Sequence, residues 1–494
     1  MRFSQFYKIY TESRHQVESS IWADALSKYD ELRVAVELMK IIKEKFPNGE
    51  IYIVGGVPRD IILGAEIDDV DLATNIPFES LAKDFQLRNI SKNDSQPVYD
   101  IGYEGIHFDL AAFRADVQGE EDGRKNNIAT TVDSFEVDTR RRDITLGALG
   151  LDENGTIVDY QGGLVDIKNK MIRAVGDAKE RFKEDATRIL RVFRFAAKMD
   201  FDIDPDTEKA AIELKGLLSN PDLISQESIA KEFYKVAKSG TGLANFLIKL
   251  DKSGILRDIL PEFTAMEGFT HNPKHHPEGG STVLGHILEC LKVSPYKDPV
   301  INLAVLFHDF GKATTRGEKG GHSTYYGHEA AGVPIVESIF QRLKFNELSA
   351  QDKKHILAAV SRHMLIHNLD TLNIKSLTKL VLDPSWEVVK SVGYCDEASR
   401  GAPLFDPNAF AEKIDRAEGK VKNLGSDKDA LRLKIKQYLD GNRLLSWFPS
   451  LNKNRTIIKD VMQFGQDYIL NQLELNRQPD ELEIRDILEK QFRL

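Results

Sequence analysis

IYIVGGVPRDIILGAEIDDVDLAT, residues 51–74, places a glycine pair and a pair of aspartates within one short stretch. Ile51–Val54 is a β-rich apolar run that ends in Gly55 and Gly56. Glycines directly after a strand let backbone N–H groups approach a phosphate, and a helix beginning there adds its N-terminal dipole. A plain tight turn uses the same residues. Asp69 and Asp71 flank Val70. In an extended segment residues i and i+2 share a face, so both carboxylates point one way and Val70 points into the core. Two like charges side by side call for a cation between them. Hard oxygen donors favour Mg2+.

A third carboxylate lies downstream. In GIHFDLAAFR, residues 105–114, alternation puts His107, Asp109 and Ala111 on one face and Ile106, Phe108 and Leu110 on the other. An aspartate on an otherwise apolar strand needs a partner, because burying it unpaired is costly. Three carboxylates can hold two metal ions ~4 Å apart, the arrangement for in-line phosphoryl or nucleotidyl transfer.

GGVPRDIILGAEIDDVDLAT resembles the opening motif of the class II tRNA nucleotidyltransferase and bacterial poly(A) polymerase family. EDGR (121–124), DTRRRDIT (138–145) and GDAKERFKEDATRILRVFRFAAKMDF (176–201) follow in family order. The resemblance implies that Asp69 and Asp71 bind metal, with Asp109 as third carboxylate. It gives Gly55, Gly56 and Arg59 to the triphosphate, and Arg141, Arg142 and Asp143 to nucleotide and ribose. Glu184, Asp185 and Arg188 match the base-selecting motif EDxxR, and Arg191 joins the nucleotide contacts. The family pattern RRDxxxN is broken here, with Gly147 in the Asn position. A sugar-edge contact is therefore missing or supplied elsewhere. Retention of the DGR loop disfavours an enzyme that adds only CC.

The base-selecting role has a physical rationale. Asp185 and Arg188, three apart, read as neighbours on one helix face. Asp only accepts hydrogen bonds and Arg only donates them. Cytosine and adenine complement such a pair, whereas uracil and guanine do not. An i,i+3 surface salt bridge is the plain alternative.

A second constellation lies further on. Seven of the twelve histidines fall between 271 and 328. His308-Asp309 in AVLFHDFGK sits among His286, His328, His363 and Asp396. Imidazole plus carboxylate suits Mn, Fe, Ni or Zn, and mixed ligation leaves Mg open. The pattern resembles HD-superfamily metal phosphohydrolases, and KHHPEGGSTVLGH with HDFGKAT and GHEAAG resembles the HD domain joined to some bacterial CCA-adding enzymes. By that resemblance His286, His308, Asp309 and Asp396 hold one metal, while His328 and His363 support a second metal or the scissile phosphate. His271, His275, His276, His322 and His367 read as surface or outer residues.

The 494 residues suggest about three domains. Hydrophobic residues at 41% and charged residues at 29% give a globular balance. The opening MRFSQFYKIY lacks the apolar core of a signal peptide, and no stretch approaches the ~20 apolar residues of a membrane span. Two cysteines make no disulfide framework and fit a reducing cytoplasm. A net charge of −10 argues weakly against nucleic acid. Locally, residues 161–200 hold ten Lys/Arg against six Asp/Glu, and 411–460 hold twelve against seven. Such windows suit RNA or plain solvated helix faces.

The expected fold is α+β. A helical extension (1–46) precedes a nucleotidyltransferase head (47–150) with a small mixed sheet. An all-α neck that binds nucleobase and RNA (151–265), an all-α HD domain (266–402) and a helical C-terminal region (403–494) follow. The expected function is template-independent addition of CCA to tRNA 3′ ends from CTP and ATP, using Mg2+ in the head. Mn2+, Ni2+ or Co2+ would serve the HD site, acting on 2′,3′-cyclic phosphate or phosphomonoesters. The alternatives are a poly(A) polymerase or A-only enzyme and, more remotely, a nucleotide-sensing regulator with HD output.

Overall fold

The computed structural model describes residues 13–91, 97–121, 124–271, 282–401, 403–423, 435–453, 457–474 and 477–492. Asp122 and Gly123 of EDGR, with His275 and His276, lie outside them. The chain divides into two compact units, Met1–Val236 with Asn245–Pro261 and Ala237–Ala244 with Glu262–Leu494. No helix of the described residues is long and apolar enough to cross a membrane.

The first unit is built on strands β1 (Arg14–Gln16), β2 (Ile51–Val54), β3 (Asp71–Thr74), β4 (Leu87–Asn89), β5 (Val98–Tyr103), β6 (Ile106–Ala112), β7 (Arg114–Glu121), β8 (Arg124–Thr131), β9 (Leu149–Leu151) and β10 (Thr156–Asp159). Eight of them form one mixed sheet in the order β1-β10-β9-β2-β3-β6-β5-β4, while β7 and β8 pair with each other. The helical reading of residues 1–46 holds for Ser19–Lys28 and Asp30–Lys45 and fails at Arg14–Gln16. Those three residues pair antiparallel with β10 at the sheet's edge. The backbone groups left open at that edge satisfied the segment better than a helix turn would.

Beneath the sheet Tyr52, Val54, Ala73, Phe113, Phe135 and Val158 form an aromatic-rich core. The α-helix Thr187–Met199 buries Ile189, Leu190, Val192, Phe193, Ala196 and Ala197, the stripe its 3.6-residue period dictates. These elements give the α+β class expected, but the all-α reading of residues 151–265 is corrected. Thr156–Asp159 pairs with β1 and β9 inside the sheet, and Met171–Ile172 pairs with Asp202–Ile203, because these short apolar runs complete open strand edges.

Among the described residues the second unit is helical apart from the short hairpin Gly317–Lys319 with His322–Thr324. Its helix Pro299–Phe307 (PVINLAVLF) is apolar nearly all round and buried, and Asp298 caps it by accepting from the Val300 N–H. Helices Val283–Lys292, His328–Leu343, Ala350–Ile366 and Trp386–Ala398 contribute the remaining polar residues of interest. The C-terminal helices hold a separate core of Leu439, Leu444, Phe448, Leu451, Val461, Ile469, Ile484 and Leu488.

Candidate functional site

The glycine turn and the aspartate pair meet because β2 runs antiparallel to β3, with Val54 opposite Asp71. Gly55 has φ +77, and a Cβ there would lie 3.1 Å from Asp71 Oδ2. Gly56 is as tight, its added Cβ falling 3.0 Å from Arg59 Nη2 and from Asp60 Oδ2. The glycines therefore give clearance to charged groups at the start of the helix Val57–Leu63. Strands β3 and β6 are parallel with Leu72 opposite Leu110. One residue earlier on each, Asp71 and Asp109 stand side by side.

Val70 is buried, whereas Asp69, Asp71 and Asp109 are exposed. The argument that Asp109 would be a buried charge is corrected, since its strand buries only Phe108, Leu110 and Ala112. Mutual repulsion replaces it as the sign of a cation site. Displacement of water raises the Asp71 carboxyl above its ordinary value, and Asp109 and Asp69 raise it further. A hard divalent cation would relieve this repulsion.

Beside the carboxylates lies a basic cluster. Asp138, fully buried, receives Arg141 at 2.7 Å and Arg142 at 2.9 Å. Arg142 also donates to the Gly147 carbonyl at 3.1 Å. Asp143 pairs with Arg191 at 2.8 Å, and Arg59 with Asp60 at 2.8 Å. The sequence reading passed over Asp138, although it opens DTRRRDIT. Its signal was an acid three and four residues before two arginines. At Gly147 an added Cβ would meet Asp143 Oδ1 at 3.4 Å, ordinary contact, so a side chain fits.

The pairing of Asp185 with Arg188 on one helix is corrected. One helix ends at Glu184, the next begins at Thr187, and Asp185 between them is extended (φ −151, ψ 104). Its Oδ1 accepts from the Thr187 N–H at 2.9 Å. Aspartate competes well with helix geometry by bonding nearby backbone in this way. Arg188 instead meets Glu184 at 2.7 Å and the Arg141 carbonyl at 3.0 Å. The kink still gathers Glu184, Arg188 and Arg141.

In the second unit His286, His308, Asp309, His328, His363 and Asp396 are all buried and converge from five places in the helical fold. His286 Nε2 lies 3.2 Å from Asp396 Oδ1 and 3.6 Å from Asp309 Oδ2. His328 Nε2 lies 3.2 Å from Asp309 Oδ1 and 3.2 Å from His363 Nε2. Three rings are oriented alike. Nδ1 of His308, His328 and His363 sits 2.7, 2.9 and 2.9 Å from the carbonyls of Val305, Tyr325 and Val360. Donation there leaves Nε2 of His308 and His363 as the lone-pair face, as in metal-ligating histidines. At His328 burial opposes the charge, but Nε2 donates to Asp309 Oδ1, which raises the imidazole above its ordinary value. His308 Nε2 is buried without a hydrogen bond. Burial, then His308, pushes His363 down to about 3, keeping it the neutral imidazole a metal requires. The donor set fits a divalent transition metal.

Outer residues complete the pocket. His367 bonds Asp396 at 2.8 Å. Burial opposes its charge, but Asp396 and Glu397 push it up to about 9. His271 contacts the buried Lys312 at 3.0 Å, and Lys312 donates to Asp309. His322 is exposed on the hairpin. Sequence reading missed Lys312, signalled only by the spacing HDFGK.

Residues 51–173 match the family described as Poly A polymerase head domain. A CCA-adding enzyme of Bacillus licheniformis is 32% identical over 225 residues, 45% of this chain and 55% of that protein. The chain thus spans about half the length of the curated relatives it matches. The crystal structure of the Bacillus stearothermophilus CCA-adding enzyme in complex with CTP aligns over 94% of this chain and 98% of that one, with a TM-score of 0.64 and 21% identity. A Thermotoga maritima CCA-adding enzyme complexed with tRNA-CCA aligns over 97% and 100%, with a TM-score of 0.50 and 16% identity. These likenesses establish the fold.

Proposed function

We propose that this chain adds CCA to tRNA 3′ ends without a template, from CTP and ATP, and that its second unit is an HD-type metal phosphohydrolase. The observation that carries the first reading is the meeting of the Gly55 turn with Asp71 and Asp109 on adjacent strands. The head-domain match and the similarity to CCA-adding enzymes support it. Asp69, Asp71 and Asp109 would hold Mg2+, which when bound supplies charge neutralisation for in-line nucleotidyl transfer. The Gly55–Gly56 turn offers backbone N–H groups to the triphosphate. Arg141, Arg142, Asp143 and Arg191 orient the nucleotide, while Glu184, Asp185 and Arg188 read the base. Discrimination then rests on fixed protein donors and acceptors.

His286, His308, Asp309 and Asp396 would hold a transition metal such as Mn2+, Ni2+ or Co2+, with His328 and His363 on the substrate side. The three Nδ1 tethers support this reading. The natural setting would be the cytoplasm. The test supplies tRNA lacking its CCA end with all four NTPs, follows pyrophosphate, and sequences the product. Added CCA is expected. A run of A would instead assign a poly(A) polymerase or an A-only enzyme, and no addition with intact NTP binding would favour a regulator.

A further inference from the structure

Helix Val283–Lys292 carries Cys290 four residues after His286, on the same face. Both are buried. Cys290 Sγ lies 3.5 Å from His286 Nε2. One potential donor atom each from His286, Cys290, His308 and Asp396 falls within 4.8 Å of the others. A second set, His308, Asp309 and His363, shares His308 with it. A buried free cysteine is most often a small core hydrophobe. Cys395 fits that description, being buried and outside both sets. Cys290 differs because its sulfur faces a group of imidazole and carboxylate donors, among them the buried His308 Nε2 that has no hydrogen bond.

We infer that Cys290 is a thiolate ligand of this centre, completing a four-donor His286–Cys290–His308–Asp396 site that prefers zinc-like cations to Mg2+ or Mn2+. The inference rests on the proposed HD metal site and puts Cys290 in the place of Asp309 as its fourth donor, Asp309 being held instead by Lys312. Two imidazoles, a carboxylate and a thiolate suit tetrahedral coordination. Soft sulfur shifts selectivity from Mg2+ and Mn2+ toward Zn2+ and Co2+. On binding, the thiol loses its proton to solvent and the sulfur lone pair forms the bond to the metal.

Cobalt spectroscopy on the full chain tests this. The chain has two cysteines, so the Cys395→Ser variant leaves Cys290 as the sole thiol. Metal-free Cys395→Ser titrated with Co2+ should develop a near-ultraviolet thiolate-to-cobalt charge-transfer band together with intense visible bands of tetrahedral Co2+. Zn2+ should abolish both on competition. Cys290→Ser should lose the charge-transfer band while retaining bound Co2+, and its affinity for Zn2+ should fall relative to that for Mn2+. Should Cys290→Ser fail to fold, the Cys395→Ser spectrum still decides. Visible cobalt bands that vanish in His308→Asn, with no charge-transfer band in Cys395→Ser, would overturn the thiolate and leave the HD centre standing. A cobalt spectrum unchanged in His308→Asn would overturn both.

Discussion

Asp138 carries a charge with no solvent contact and holds Arg141 and Arg142 at once. Burial favours its neutral form, but Arg142 and then Arg141 outweigh this and hold the carboxyl below its ordinary 3.8. Removing one partner of a buried pair costs ~3–5 kcal/mol, and because these guanidiniums are partly exposed we expect about 2 kcal/mol for Asp138→Asn. The folded value lies below the unfolded one. The stabilisation is therefore complete above the unfolded value of ~3.9 and fades as pH falls through the lower folded value. Denaturant titrations at neutral pH and in acid should show the gap between wild type and Asp138→Asn narrowing in acid. A gap that stays constant would mean the arginines do not depend on this charge. Asp69 and Asp71 were legible in the sequence because two residues suffice to define a shared face. Asp138 showed only as an acid three and four residues before two arginines, because its importance comes from burial, which local spacing does not report.

Element boundaries decide the next case. The helix Thr187–Met199 was legible from its apolar period, and β6 from strict alternation, since each has one buried face. The break at Asp185 was not, because EDAT carries no glycine or proline and reads through as helix. Asp185 has two separable tasks. It holds the backbone entering Thr187–Met199, and in the proposed function it offers an acceptor to the incoming base. Asp185→Ala should remove both and cost about 1 kcal/mol, the usual size of a lost helix-end cap. Asp185→Ser retains a backbone acceptor of shorter reach, so it should recover most of that stability yet leave the base unmatched. Losing one such partner is worth ~1–3 kcal/mol, roughly 5- to 150-fold in the choice of C and A over U and G. Thermal melts and four-NTP competition on both variants check this. Fidelity that follows stability across the two would confine Asp185 to the kink.

Across the whole molecule the two sites draw on different donors in different compact units, carboxylates at Asp69, Asp71 and Asp109 and imidazoles around Asp309. The types of these candidate ligands were legible. Their convergence in the second unit was not, because His286 and Asp396 come from helices far apart in sequence and no periodicity links them. That part of the reading came from resemblance. The division predicts separable losses. Asp71→Asn should abolish nucleotide addition and spare phosphate hydrolysis. His308→Asn with Asp309→Asn should do the reverse. Asparagine at 309 keeps an acceptor near the buried Lys312, whose ammonium would otherwise lose its partner. On RNA with a free 3′-hydroxyl the double variant should add nucleotides at the wild-type rate, because the head needs only that nucleophile. On RNA ending in a 2′,3′-cyclic phosphate it should fail, since no 3′-hydroxyl is ever exposed. Wild type supplied with Mg2+ and a transition metal should extend both RNAs. Chelation that spares Mg2+ should remove only extension of the cyclic end. If wild type extends neither cyclic nor phosphorylated ends with any divalent metal, the second unit is no hydrolase, and its buried histidines serve structure or RNA docking.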